Sequence, residues 1–275
     1  MAEKISIDLG NVQKTLFLPL WGRAVESKKA HPLLVDPVAE QIIDAVDYDF
    51  SSITQNINVL SQIAWIVRSI YTDEVIAGFI QEYPGATIVN IGCGLDTTFD
   101  RIDNGSLRWY DLDLPDVIEL RRKFIQETDR RRYITASFLD ETWLHQIGNP
   151  EQVLFIAAGV LYYFEEAQVK GFLIRLADFF PGSQIFFDVS SPTGVKVANR
   201  AVIKSAGLDE RSNLVWGLDR VEELLAWDGR FKLIDTYFYY RCKKLRLPLS
   251  QKLMGAFSDL IKIQYMLHLQ LGVKG

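Results

Sequence analysis

The amino-acid sequence predicts an α/β fold built on a doubly wound, mostly parallel sheet, and three observations carry that expectation. Short apolar runs alternate with helical patterns from about residue 87 to residue 189. Two of these runs, Thr87-Ile-Val-Asn-Ile91 and Gln184-Ile-Phe-Phe-Asp-Val189, are nearly continuous in apolar residues, as strands covered on both faces should be. The first of them feeds directly into Gly92-Cys93-Gly94, at the strand end where open α/β sheets bind ligands.

The elements follow in order. Leu16 to about Tyr83 reads as helical without a strand signal, because Val59, Leu60, Ile63, Val67 and Ile70 recur at the three- and four-residue spacing of an apolar helix face. Pro84-Gly85 breaks that pattern, and Thr87 to Ile91 is the first strand. Further strands are expected at Leu107 to Leu112, Arg132 to Ala136, Gln152 to Ala157 and Ser183 to Val189, with helices at Asp116 to Thr128 and Glu165 to Phe180. Near the end, Phe231 to Tyr240 and Lys262 to Leu271 read as strands, preceded by a helix over Arg220 to Asp228. They are expected to pair antiparallel at one sheet edge. No repeat, low-complexity stretch or linker marks a second unit, so residues 1–275 should form a single domain with residues 1–83 as a helical extension.

Composition narrows the function. A chain of 275 residues that is 48% hydrophobic can bury a sizeable core, and a net charge of −5 offers no general attraction to nucleic acid or anionic membrane. The basic run Arg130-Arg131-Arg132 reads as a solvated helix end. Two cysteines are too few for a disulfide framework and suit a reducing cytoplasm. No export signal or spanning segment is apparent, and the three histidines lack metal-ligand spacing, so no metal is expected.

The turn Gly92-Cys93-Gly94 lets backbone approach a ligand where a side chain would collide, which suits a nucleotide-like cofactor. A dinucleotide fingerprint would place a third glycine where Thr97 stands, so binding of a pyrophosphate, as in a nicotinamide-dependent oxidoreductase, is the weaker alternative. About twenty residues on, Asp111 and Asp113 end the next strand, where a carboxylate can accept hydrogen bonds from both ribose hydroxyls; the plainer alternative is that they terminate the strand or cap the next helix. Arg68 stands between Val67 and Ile70 on an apolar helix, where a guanidinium needs a partner: a ligand carboxylate, or Asp73. Cys93 reads as structural, and Tyr162 and Tyr163 fall at the carboxyl edge of the sheet, either orienting an acceptor or walling the cofactor site.

With these residues in view, the chain resembles the leucine carboxyl methyltransferase family, which includes the bacterial polyketide O-methyltransferases. The carriers are Arg23-Ala-Val-Glu26-Ser-Lys28-Lys29 with Asp36-Pro37, Asn90-Ile-Gly-Cys-Gly-Leu-Asp-Thr-Thr-Phe99, Trp109-Tyr-Asp-Leu-Asp-Leu-Pro115 and Ile156-Ala-Ala-Gly-Val-Leu-Tyr-Tyr-Phe164. The resemblance implies a seven-stranded class I methyltransferase sheet, S-adenosyl-L-methionine as cofactor, a small-molecule methyl acceptor, and an N-terminal lid. It also implies roles: Arg68 for the carboxylate of the cofactor's methionine end, with Gly92 beneath that moiety and Lys28 nearby, although Lys29 is an alternative; Asp113 for the ribose; Ser137 and Phe138 beside the adenine. Ala158 and Gly159, after the fourth strand, are implied to line the site as well. Ser137 stands where family members commonly carry aspartate and Ala158 where they carry glutamate, which leaves open a catalytically silent cofactor-binding or interaction protein. A serine hydroxyl can still hydrogen-bond adenine, whereas any contact from Ala158 must come from its backbone.

Overall fold

The computed structural model describes residues 4–6, 11–51, 57–200 and 213–272. Its centre is a seven-stranded sheet of β3 (Thr87–Ile91), β4 (Arg108–Asp113), β5 (Arg131–Thr135), β6 (Val153–Ala157), β7 (Ser183–Val189), β8 (Lys232–Phe238) and β9 (Tyr265–Leu271), in the order β5-β4-β3-β6-β7-β9-β8. The strands β3 to β7 run parallel; β9 lies antiparallel between β7 and β8. The expected antiparallel edge is present, although β9 begins three residues later than the apolar pattern suggested. Lys262 sits at φ +52, in the left-handed region, and so cannot continue an extended strand.

Helices cover both faces. Along β3, Ile88 packs on one side with Ile66, Val67, Ile70 and Ile76 of α3 (Val59–Glu82), while Val89 and Ile91 pack on the other with Phe172, Leu173 and Leu176 of α7 (Glu166–Phe179). The remaining helices include α4 (Thr98–Ile102), α5 (Pro115–Arg122), α6 (Leu144–Ile147), α8 (Pro192–Ala198), α9 (Val221–Leu225) and α10 (Leu249–Leu260). Each large apolar side chain taken fully out of water contributes about 1.5–3 kcal/mol, so α3 is held by the sheet's own core. Among the described residues of the N-terminal extension, α1 (Asn11–Ser27) and α2 (Pro37–Ala45) pack instead in a separate apolar cluster with Cys93, Leu95 and Ile118. The extension also contains a strand that the helical reading did not anticipate: β2 (Val46–Asp47) pairs with β1 (Ile5–Ser6).

No helix among the described residues is long and apolar enough to cross a membrane. His268 on β9 is buried, bonds the Gln184 side chain at 2.8 Å, and has its pKa lowered to about 4 by burial. The folded state therefore resists the proton that the unfolded chain accepts near pH 6.5. Between about pH 6.5 and 4 the unfolded state binds more protons, so stability contributed by His268 is present above that window and lost as pH falls through it. His268→Gln should flatten the fall in melting temperature across this range; an unchanged pH profile would show that His268 is not its source.

Candidate functional site

The carboxyl ends of β3, β4 and β6 meet beneath α1 and α3 in a cavity of about 330 Å³. Gly92 leaves β3 at φ +61, and a Cβ there would fall 2.5 Å from the Val160 side chain, so this turn admits only glycine without rearrangement. Backbone N–H groups of Gly92 and Cys93 both donate to Leu112 O, fastening the turn to β4. In the strand register Ile91 pairs with Leu112, which places Asp113 one residue past the end of β3. From there its carboxylate accepts the backbone N–H of Gly94 at 2.7 Å and of Leu114 at 2.8 Å and faces the cavity. Burial raises the Asp113 pKa, while these two bonds act in the opposite direction.

Arg68 reaches the same cavity from α3. Its Nη1 donates to Asp188 Oδ2 at 3.1 Å and to the Tyr162 hydroxyl at 3.4 Å, and its guanidinium lies over Gly159, where a Cβ would sit 2.7 Å from Nη1. The partner is thus Asp188 at the end of β7, and the sequence alternative is corrected: Asp73 pairs with Arg101 instead. Asp188, fully buried, also accepts the Gly159 N–H and the Tyr239 hydroxyl. A single acid within an apolar strand carries no local signal in the sequence. Burial pushes the Tyr163 hydroxyl up to about 12 and raises that of Tyr162 well above its ordinary value, so at neutral pH both are hydrogen donors and not bases. Burial likewise raises the Cys93 thiol well above its ordinary value, in keeping with a structural residue.

Several expectations need correction. Asp111 does not face the cavity: its carboxylate is fully buried and taken up by Arg121 at 2.9 Å, Arg131 at 2.9 Å, the Trp109 indole at 2.8 Å and the Asn90 amide at 3.2 Å. Arg131 is accordingly no solvated helix end but a buried residue at the start of β5. Lys28 forms an exposed pair with Asp44, and Lys29 turns to Glu26; neither lines the cavity. Ser137 caps its own turn by accepting the Leu139 N–H, and Phe138 is buried against Phe164 and Phe172. Of this group only Phe164 presents a ring to the cavity, so Phe138 acts behind it. The other cavity-lining residues from the sequence reading, Gly94, Ala158 and Gly159, come together as expected.

The block around Arg23 and Asp36 acquires a physical meaning. Asp36 accepts from Arg23 at 2.8 Å, from Arg101 at 2.8 Å and from Thr97 at 2.6 Å, with Arg23 and Thr97 buried beside it, and its Oδ1 caps α2 through Ala39 N. Burial opposes ionisation of Asp36, but Arg23 and Arg101 outweigh it and hold the pKa below the ordinary value. Thr97, standing where a dinucleotide fold would want glycine, is therefore an anchor joining the glycine turn to α1 and α2. Over the turn, Leu16, Leu18 and Pro19 of α1 and Trp65 of α3 give the cavity an apolar roof. Among the described residues no group of three His, Cys, Asp or Glu side chains is placed to hold a metal.

Comparison with known proteins agrees with this geometry. The tetracenomycin polyketide synthesis O-methyltransferase TcmP of Streptomyces glaucescens is 29% identical over 241 residues, covering 85% of this chain and 87% of the relative. An S-adenosyl-L-methionine-dependent methyltransferase of Gibberella zeae is 27% identical over 244 residues, covering 81% and 80%. In fold, the crystal structure of a DUF574 family protein from Streptomyces avermitilis superposes with a TM-score of 0.60 at 13% identity, over 93% of this chain and 96% of that one. The leucine carboxyl methyltransferase family profile matches residues 17–177, a span that holds the anchoring acid, the glycine turn, Asp113 and the Gly159 corner. The chain belongs to the leucine carboxyl methyltransferase family and is an S-adenosylmethionine-dependent methyltransferase.

Proposed function

We propose that the enzyme transfers a methyl group to the oxygen of an apolar, polyketide-like small molecule bearing a carboxylate or acidic hydroxyl. The observation that carries this reading is the pairing, in one cavity, of a polar floor at Gly92, Asp113 and Arg68 with an apolar and aromatic roof at Leu16, Leu18, Trp65, Tyr163 and Phe164. The likeness to a polyketide O-methyltransferase supports it.

The residues present suit the cofactor. The glycine turn leaves room for close backbone approach, and the Asp113 oxygens keep lone pairs for ribose hydroxyls beyond the two backbone bonds they accept. Both Arg68 bonds leave from Nη1, so the other guanidinium donors are available to a carboxylate. The chemistry supplied by the cofactor when bound is an electrophilic methyl on a sulfonium. The protein's part is alignment and exclusion of water: the apolar roof desolvates the acceptor oxygen, and Tyr162 and Tyr163 orient it by donating hydrogen bonds. A carboxylate is already ionised at neutral pH and needs no base, which favours it over a phenol in a site whose tyrosines stay protonated.

S-adenosylhomocysteine at about a hundredfold excess over its Kd should stabilise the fold by about 2.7 kcal/mol, a rise in melting temperature of roughly 5 °C or more. Radiolabelled methyl transfer should then label aromatic carboxylic acids as base-labile esters, or acidic phenols as base-stable ethers. Stabilisation by NAD and not by S-adenosylhomocysteine would sink the cofactor assignment, and transfer only to nitrogen would sink the acceptor class.

A further inference from the structure

The helix α10 is turned inside out. It buries Gly255, Ser258 and Asp259, while Leu249, Leu253, Met254, Phe257 and Leu260 stand 54 to 73% exposed. The inward face is fixed: a Cβ on Gly255 would meet the Tyr240 ring at 2.6 Å, and the Asp259 carboxylate accepts the Tyr240 backbone N–H at 3.1 Å. The helix cannot roll its large side chains inward without breaking both contacts. Leu249, Leu253, Phe257 and Leu260 follow one another at helical spacing along one stripe, with Met254 beside it. A contiguous apolar stripe of this kind marks an interaction surface.

Charge identifies the occupant. Although the whole chain carries −5, residues 241–262 hold Arg241, Lys243, Lys244, Arg246, Lys252 and Lys262 against one acid, the buried Asp259. Lys244 is paired with Glu74 and Lys262 binds the Asp219 carbonyl, while Arg241, Lys243, Arg246 and Lys252 are exposed around or just ahead of the stripe. A second copy of the chain would bring the same cations together. An anionic bilayer surface instead offers negative charge to the rim and apolar depth to the stripe. The overall charge, from which no attraction to anionic lipid is expected, averages over this segregation.

Position gives the surface a use. The helix joins the end of β8 to the start of β9, and Tyr265 of β9 pairs with Val189 at the carboxyl end of β7, so α10 stands at the same end of the sheet as the cavity. The Tyr240 hydroxyl bonds Leu60 O and the Tyr71 hydroxyl bonds Phe238 O, tying this corner to α3, which carries Trp65 and Arg68. The geometry points to α10 as an interfacial helix that docks the enzyme on an anionic lipid surface, cavity end toward the bilayer, where an apolar acceptor partitions.

Vesicle sedimentation of the full chain tests this. Binding to phosphatidylcholine mixed about three to one with phosphatidylglycerol should exceed binding to phosphatidylcholine alone by at least about tenfold and weaken with added salt. Leu253→Glu with Phe257→Glu should abolish it, and Lys243→Glu with Lys252→Glu should remove the preference for anionic lipid. Both pairs are exposed, so unchanged melting temperatures should accompany these losses. Equal sedimentation of wild type and the double glutamate variant would overturn the proposal. So would absence of vesicle binding together with a dimer that Phe257→Glu dissociates, the result expected if a second copy covers the stripe.

Discussion

Asp111→Ala should destabilise the fold by about 3–5 kcal/mol, because it strips the shared counter-ion from two guanidinium groups that are themselves buried. Arg121 and Arg131 have 0% and 2% of their side chains exposed, so neither can turn to water when the carboxylate goes. The Trp109 indole and the Asn90 amide lose an acceptor at the same time. Asp113→Ala, two residues along, should behave differently. It removes charge-assisted hydrogen bonds to the ribose worth about 1.5–3 kcal/mol each, lowering S-adenosylmethionine affinity at least tenfold, with a smaller loss of stability. Chemical denaturation and calorimetry on the two variants give the contrast. A stable Asp111→Ala that fails to bind cofactor would reverse the assignment of the two acids.

Arg68→Ala should weaken both the fold and the ligand. Its side chain is 12% exposed and its partner Asp188 is fully buried, so the substitution leaves a buried carboxylate with, among the described residues, the Gly159 N–H and the Tyr239 hydroxyl as donors, at a cost of about 3–5 kcal/mol. S-adenosylmethionine should bind more weakly by on the order of 2 kcal/mol or more, whereas adenosine, which has no carboxylate, should be affected little. Comparing the two ligands on the folded fraction separates the roles. Equal loss of both would mean that Arg68 serves the fold alone. Arg68→Lys keeps the charge but not the planar fork, and it should recover stability before it recovers affinity.

The parts of the site legible in the sequence were those written in local pattern. A strand running into two glycines, an acid at the next strand end and a lone arginine on an apolar helix each announce themselves within a few residues, and all three converge on the cavity. What was illegible depends on pairing at a distance. Asp111 and Asp113 are alike in sequence, and only the register of β4 against β3 puts one under the strand end and the other beyond it. Arg131 looked solvated because its partners, Asp100 and Asp111, come from other elements. The role of Asp188 likewise appears only when α3 crosses β7. The apolar period of α10 is present in the sequence, but its outward direction is not, because such a stripe ordinarily faces the core.

The place of β9 in the sheet also sets an order of events on the ribosome. β8 is made first, yet among the described strands its one neighbour in the sheet is β9, which also covers the open flank of β7. Until Tyr265 to Leu271 emerge, the two strand edges that β9 will cover stay unpaired, one on β8 and one on the almost wholly buried β7. The parallel core can assemble early, but its closure waits for a distant segment that must insert between two strands already synthesised. Chaperone demand during synthesis should therefore be concentrated in that interval, and a chain stopped just short of β9 should be far more prone to aggregate than its length alone would suggest.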